Sequence, residues 1–544
     1  MQQKIISFKY AILLFLIIIL AAVLRLWSLN TIPAGFNIDE TAIGYNAYSL
    51  LTTGKDEFGK ILPITYKSFG DWKLIGYPLI TTLPIKLFGL NIFSVRLPSA
   101  LAGIAQVILI FGICKLLFKK TGVALFAGLF YAISPWSIYF SRIAYEVNLA
   151  TAFFLGGLYT FLIALEFNRK RFFFLTAILF SATLFTYHAY IISMPLFVIA
   201  LGIIYWKPLF KNKILIVSLI VFFASLAIVG FSVVKQSSSK LSDVSIFGNQ
   251  NIIYNRSDVF LSDKAPDAKI ISKTLYNKYT AVAYQFGQNY LETFSPKFLF
   301  DTGGEKLMGN LGYFGLFYIV DALFILLGLC RLLYLREKHL FLLFGWLLIA
   351  PIPSAITVDA PSSTRAFMIL PILIIFAAFG AHFLYTNLKR FRLSFLLLGI
   401  LSLVFAWNIL LFMDGYFAHM NYQRAVFQHY GFQQAVEITN KYPNDKVVMQ
   451  GPDNFPYVSF LFFNKYDSDK FRREVIYYPD NGNGFVMVKS FNRFNFVKSI
   501  DYSHILPNTL YISLATQLPD KKVYTTVGTI NLPSGSPIMS YLIK

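Results

Sequence analysis

The sequence predicts a polytopic α-helical membrane protein of about eleven transmembrane helices, with a small external α/β domain at its C-terminal end. Three observations lead there: composition, apolar runs and the placing of charge. Of 544 residues, 56% are hydrophobic and only 14% charged, against about a quarter charged in soluble chains, and the mean hydropathy is +0.59. The remaining charge is 48 basic against 27 acidic residues, a net +21. This balance excludes an ordinary cytosolic enzyme. Two cysteines, Cys114 and Cys330, exclude a disulfide framework.

A hydrocarbon core of about 30 Å takes about 20 apolar residues per helix. Runs that meet or nearly meet this lie at about 10–29, 94–118, 121–140, 148–167, 171–187, 190–206, 213–234, 312–333, 339–356, 366–388 and 393–413. The first follows Lys4 and Lys9, as a signal peptide would follow its basic region. Its apolar stretch is longer than a signal core and no small-residue cleavage site comes after, so it is expected to be a retained helix.

The loops between the runs alternate between basic and nearly uncharged. One set holds Lys4 and Lys9; Lys115, Lys119 and Lys120; Arg169, Lys170 and Arg171; Lys207, Lys211 and Lys213; Arg331, Arg336 and Lys338; and Lys389, Arg390 and Arg392. These 17 basic residues stand against Glu166 and Glu337, a net +15 of the total +21. Basic loops resist translocation, so this face and the N-terminus are expected to be cytoplasmic. An odd number of crossings then places the C-terminus outside. The basicity is topological, and no nucleic-acid partner is called for.

Three longer segments fall on the external side, at about 30–93, 235–311 and 414–544. The chain therefore reads as a membrane module, 1–413, and an external soluble domain, 414–544. In the tail an amphipathic stretch, Phe417 to Lys441, precedes β-rich runs at Lys446 to Met449, Glu474 to Tyr478, Phe485 to Val488, Thr509 to Ala515 and Val523 to Ile530. Turn signals such as Gly451-Pro452-Asp453-Asn454 and Pro479-Asp480-Asn481-Gly482 separate them.

The residues able to carry chemistry map to the external side. Asp39-Glu40 lies about ten residues past the first helix, and carboxylates beside a membrane surface are costly unless they pair or react. The same pair also reads as an N-cap and first-turn acid for a helix over Thr41 to Leu51. Glu146 follows the third helix in Ser141-Arg142-Ile143-Ala144-Tyr145-Glu146, four residues from Arg142 and so able to pair with it on one helical face. His188 sits at the turn after the fifth helix, where a lone histidine is more often an interface residue than a catalyst. Arg365 ends the connection Pro351 to Thr364 and is either a fork for phosphate oxygens or a snorkelling anchor. Lys73, in Gly70-Asp71-Trp72-Lys73-Leu74, precedes a short apolar segment where an ammonium can meet a lipid phosphate. Arg25 lies near an outer helix end.

The order Arg25-Leu26-Trp27, Pro33-Ala34-Gly35-Phe36, Asp39-Glu40, Lys73, Leu87-Phe88-Gly89 and Ser94-Val95-Arg96-Leu97-Pro98-Ser99-Ala100-Leu101 resembles the N-terminal module of GT-C membrane glycosyltransferases. Within them it is similar to bacterial relatives of protein O-mannosyltransferases and of the lipid A aminoarabinose transferase. The likeness is strongest over residues 20–200, continues loosely to 413 and leaves the tail uncovered. It implies a hexosyl- or pentosyltransferase of the bacterial plasma membrane. Such an enzyme takes a sugar from a polyprenyl-phosphate donor, at the outer surface and among membrane lipids, and passes it to a protein, lipid or glycan acceptor. The resemblance implies Asp39 as base with Glu40 beside it and Glu146 as the acidic residue of the second external loop. It implies donor-phosphate roles for Lys73, Arg365, His188 and Arg25, the last near the same outer boundary.

That chemistry suits the residues. A lipid-linked sugar phosphate carries its own leaving group, which basic side chains stabilise as the bond breaks, while one carboxylate takes the acceptor proton. A single displacement of this kind inverts the anomeric carbon. Asp39, Glu40, Glu146 and His188 are of the types that gather around a divalent cation, although no metal-ligand spacing selects one. The main alternative is a secondary transporter or flippase. Transporters place ionisable groups near the bilayer midplane, and here Asp321, within the eighth run, is the exception to nearly charge-free helices. A non-catalytic envelope scaffold is the third.

Overall fold

The computed structural model describes all residues except 1, 210–212, 249–274, 276, 305–311, 313, 338, 389–393, 480–483, 515–525 and 544. The turn at 480–482, the start of the strand expected at Val523 and much of the segment 235–311 lie outside the described residues. Among the described residues, six helices are long and apolar enough to cross a membrane: Phe8–Leu26, Ile92–Phe118, Glu146–Glu166, Lys213–Gln236, Ile369–Leu388 and Phe395–Gln423. The pair Thr121–Ile133 and Pro135–Ser141, bent by 56° where Pro135 breaks the hydrogen-bond ladder, makes a seventh if counted as one span. The protein is an integral membrane protein. The other four expected crossings coincide with Arg171–Leu184, Ala189–Ile204, Leu340–Ala355 and Ile319–Leu335, each shorter than the about 20 residues a full crossing takes.

One of these corrects the sequence reading. The helix expected from residue 312 starts at Ile319, so Asp321 lies in its first turn, with its Oδ2 accepting the Tyr318 N–H at 3.0 Å. A carboxylate at a helix start answers the dipole. Asp321 is therefore not a helix-interior charge of the kind a transporter would use.

The chain divides into two compact units. The larger comprises Met1–Leu24, Ala102–Tyr139 and Val147–Phe412. Its helices Ile319–Leu335 and Ile369–Leu388 approach closely at two glycines. A Cβ on Gly328 would lie 1.9 Å from the Phe376 carbonyl oxygen, and one on Gly380 would lie 2.0 Å from that of Phe324. Small residues at such crossings let backbones meet where lipid supplies no hydrophobic drive.

The second unit comprises Arg25–Leu101, Phe140–Glu146 and Met413–Lys544. It contains helix Ile38–Thr53 and an antiparallel hairpin of Thr65–Ser68 (β1) and Asp71–Leu74 (β2). The tail forms a seven-stranded mixed sheet. Its strands are Lys446–Gln450 (β3), Ile476–Tyr477 (β4), Val488–Phe491 (β5), Phe494–Val497 (β6), Thr509–Ser513 (β7), Thr526–Asn531 (β8) and Pro537–Ile543 (β9), in the order β4-β5-β6-β3-β7-β9-β8. Only the β3–β6 and β3–β7 pairs are parallel. Strand β5 starts three residues later than the run expected at Phe485, and β6 and β9 were not expected at all. The amphipathic stretch Phe417 to Lys441 forms short helical pieces before a regular helix at Phe432–Asn440.

The tail packs on helix Ile38–Thr53 through helix Pro456–Phe463, where Gly44 leaves room for the Phe462 ring. Tyr457 Oη donates to Glu57 Oε1 at 2.7 Å, and Tyr45 Oη to the Tyr466 carbonyl at 3.1 Å. At the hairpin tip a Cβ on Gly70 would lie 2.3 Å from the Gly484 carbonyl oxygen, and the Val486 N–H donates to the Phe69 carbonyl at 3.1 Å.

Candidate functional site

Helix Ile38–Thr53 is capped by Asn37, not by Asp39 as the local pattern suggested. Asn37 is extended, with φ −67° and ψ 163°, and its side chain accepts the Glu40 N–H at 2.9 Å. Both acids thus lie in the first turn, where the helix dipole favours carboxylates. Consecutive side chains on a helix diverge by about 100°, and here they take different partners.

Glu40 turns inward and is 1% exposed. Its Oε1 accepts from Arg96 Nε and from the Ala144 N–H, each at 2.9 Å, and its Oε2 accepts from Arg96 Nη2 at 2.9 Å. Arg96 is fully buried and spends its other donors on the carbonyls of Leu29, Pro33 and Gly35, at 3.2, 3.1 and 2.8 Å. All five N–H groups of the guanidinium are used. Glu40 and Arg96 therefore tie the loop before the helix to the 140–146 segment. Arg96 stood in the sequence only as part of a family motif. An arginine inside an apolar helix was the signal that a buried acidic partner had to exist.

Asp39 turns to the hairpin, where Lys73 Nζ donates to its Oδ1. Lys73 is buried while Asp39 keeps nearly half of its side chain exposed. Burial alone would pull the Lys73 ammonium down, but the charges of Asp39, Glu146 and Asp71 outweigh it and hold its pKa above the usual lysine value. Lys73 Nζ also lies 5.4 Å from the centre of the Phe69 ring. The register pairs Lys73 with Tyr66 and Asp71 with Ser68, so these four side chains share one face of the hairpin. Tyr66 is fully buried, and its hydroxyl has no hydrogen-bond partner. Burial first, then the charges of Glu146, Asp39 and Asp71, push its pKa well up, so it stays a neutral donor beside the carboxylates. Asp71 and Tyr66 were missed in the sequence because only strand pairing brings them to Lys73.

Residues 39, 73 and 146 are thus within electrostatic reach of one another in this unit. The i,i+4 pairing expected of Arg142 with Glu146 does not describe Arg142's bonding. Residues 142–144 form a turn and Tyr145 is irregular, so Arg142 and Glu146 share no common helical face. Arg142 instead donates through Nη2 to the Trp27 carbonyl at 2.7 Å and that of Ile32 at 2.9 Å. Arg25 is fully buried, with its Nε donating to Ser141 Oγ at 3.3 Å. Arg365 and His188 belong to the larger unit. Arg365 pairs with Asp359 and donates to Thr357 Oγ1 at 3.3 Å, with Tyr187 among the groups acting on its charge. His188 is half-buried at the start of helix Ala189–Ile204. Among the described residues, no three His, Cys, Asp or Glu side chains are arranged to hold a metal ion. The Lys73 ammonium supplies the positive charge beside Asp39.

Residues 74–231 match the family of dolichyl-phosphate-mannose-protein mannosyltransferases. The match covers less than half of the chain. It includes Glu146 and His188 and begins directly after Lys73. No curated protein matches the sequence. Among solved structures, the archaeal oligosaccharyltransferase AglB from Archaeoglobus fulgidus, in complex with an inhibitory peptide and a dolichol-phosphate, is similar at 13% identity and a TM-score of 0.48. That likeness covers 84% of this chain and 64% of AglB, so the chain spans under two thirds of the archaeal enzyme. ArnT from Cupriavidus metallidurans is similar at 10% identity and a TM-score of 0.48 in the apo state, over 85% of each chain. Bound to undecaprenyl phosphate it is similar at 12% identity and 0.49, over 83% of this chain and 84% of ArnT.

Proposed function

We infer that the protein transfers a sugar from a polyprenyl-phosphate donor to an acceptor at the external membrane face, with inversion at the anomeric carbon. The observation that carries this reading is the Asp39–Lys73 pair on a helix start and a hairpin, with Glu146 within reach. Asp39, the half-exposed member, accepts the proton of an acceptor hydroxyl or amine as that atom attacks the anomeric carbon. The carbon–oxygen bond to phosphate breaks with its electron pair passing to the phosphate oxygen, and the Lys73 ammonium stabilises the developing charge. Glu146 and Asp71 balance Lys73 before the donor arrives. Glu40 acts as a positioning residue: with Arg96 it fixes the first turn from which Asp39 projects. Arg25, wholly enclosed and bonded to Ser141, braces the same segment and is not open to a phosphate. Arg365 and His188 are donor-phosphate contacts of the larger unit.

The test is release of polyprenyl phosphate by the purified protein given a polyprenyl-phosphate sugar and an envelope extract as acceptor. Asp39→Asn should lose at least about 100-fold in turnover with donor binding kept. Lys73→Gln and Arg365→Gln should each weaken donor binding more than acceptor binding. Wild-type turnover by Asp39→Asn would remove the base, and no release by the wild-type protein would remove the reading.

A further inference from the structure

We propose that a cavity in the second unit is an acceptor site for an uncharged carbohydrate; the proposal rests on the transferase reading and names its acceptor class. The cavity measures about 320 Å³ and is walled by Gly35, Phe36 and the segment around His429 to Gln434, within the about 300–1,000 Å³ of small-ligand sites. Its chemistry is narrow. Gln433 and Gln434 contribute carboxamides, Phe36, Tyr422 and Tyr430 contribute rings, and no Asp, Glu, Lys or Arg lines it among the described residues. Carboxamides both donate and accept, the complement of sugar hydroxyls, while aromatic faces receive the apolar C–H face of a pyranose. A phosphorylated or carboxylated ligand would find no counter-charge there. His429 adds none: burial pulls its imidazole below the usual range, against the opposing charge of Asp39, so it is neutral at physiological pH.

A second observation points to a ligand. Gln434 Oε1 is buried and has no hydrogen-bond partner. A buried amide oxygen left unpaired is costly, and a small rotation of the Gln434 side chain, which lines the cavity, would let that oxygen accept from a sugar hydroxyl. The wall is firm. Asn421 Oδ1 accepts the Ala34 N–H at 2.6 Å and its Nδ2 donates to the Thr31 carbonyl at 3.2 Å, while the Gly35 carbonyl is held by Arg96. A Cβ on Gly35 would lie 2.4 Å from the Gln428 carbonyl oxygen, so the loop and the tail meet without slack. The same loop runs directly into the helix turn that carries Asp39, whose charge reaches His429.

The full-length protein in detergent is applied to a printed array of neutral oligosaccharides, anionic oligosaccharides and unmodified peptides. Neutral oligosaccharides should be retained, and Gln434→Leu should weaken retention about tenfold, the effect of one lost hydrogen bond. Its unfolding temperature should not fall, because the oxygen removed has no partner in the protein. Asp39→Asn should bind as wild type. Failure to retain any neutral oligosaccharide, preference for anionic glycans or peptides, or wild-type retention by Gln434→Leu would each overturn the proposal. Retention intact in a protein that releases no polyprenyl phosphate would sink the transferase reading instead, and transfer without retention would sink this one alone.

Discussion

Glu57 offers a sharp test of how the tail is held. Its carboxyl is fully buried, accepts the Tyr457 hydroxyl at 2.7 Å and Asn46 Nδ2 at 3.3 Å, and has its own N–H bonded to Asn46 Oδ1 at 2.9 Å. The neighbouring titratable groups are Asp56, Tyr45, Tyr66, Tyr457 and Tyr477, and none of them is a close cation. Burial, opposed by the bonds from Tyr457 and Asn46 and assisted by Asp56, pushes Glu57 from 4.5 up to about 7. The folded protein therefore binds this proton more tightly than the unfolded chain does. Its contribution to stability is fully present below about pH 4.5, falls as pH rises toward 7, and is lost above 7. A shift of that size corresponds to about 3 kcal/mol between the two limits. Glu57→Gln, which cannot ionise but still accepts from Tyr457, should remove this dependence. Thermal unfolding in detergent from pH 5 to 8 should show the variant nearly equal to wild type at pH 5 and more stable at pH 8. A variant less stable than wild type at pH 8, with the wild-type slope unchanged, would refute a protonated Glu57 as the natural partner of Tyr457.

Arg96→Met should be among the most damaging single changes, because it strands the buried Glu40 carboxylate and three carbonyls; a loss of about 3–5 kcal/mol is expected. Glu40→Gln should be milder, and the double variant should lose less than the sum, as unfolding curves of all three can show. Gly328→Val puts methyl groups where even a Cβ would lie 1.9 Å from a backbone oxygen. It should lower the unfolding temperature through the larger unit, whereas Gly202→Val, where a Cβ meets nothing within 4 Å, should leave it unchanged.

Apolar runs are local, so helix positions were readable from the sequence: each expected crossing coincides with a helix. Their lengths were less so, since a proline at 135 and the loop before Ile319 shorten helices without lowering the hydropathy of the surrounding window. Asp39, Lys73 and Glu146 were selected as charges on one face, and in the structure they act on one another. The division of labour between Asp39 and Glu40 was not readable, because it depends on Arg96, 56 positions from Glu40, and on a hairpin register. Glu57 and Tyr457 are 400 positions apart, and nothing local in either segment announces the other. Strand β6 was missed because a run rich in aromatic residues reads alike inside and outside a sheet, and β9 because it starts at Pro537 directly after a Pro/Gly/Ser turn segment.

The tip of the hairpin, where Gly70 admits the backbone of Gly484 and Phe485 against it, bears on how the protein can be dissected. Lys73 sits three residues from that tip, so the far end of the polypeptide helps aim the lysine that faces Asp39. A shortened protein ending before Met413 would keep Asp39, Lys73 and Glu146 yet leave the hairpin without its support. Inactivity in such a truncation would report lost alignment, not the loss of a reacting group from the tail.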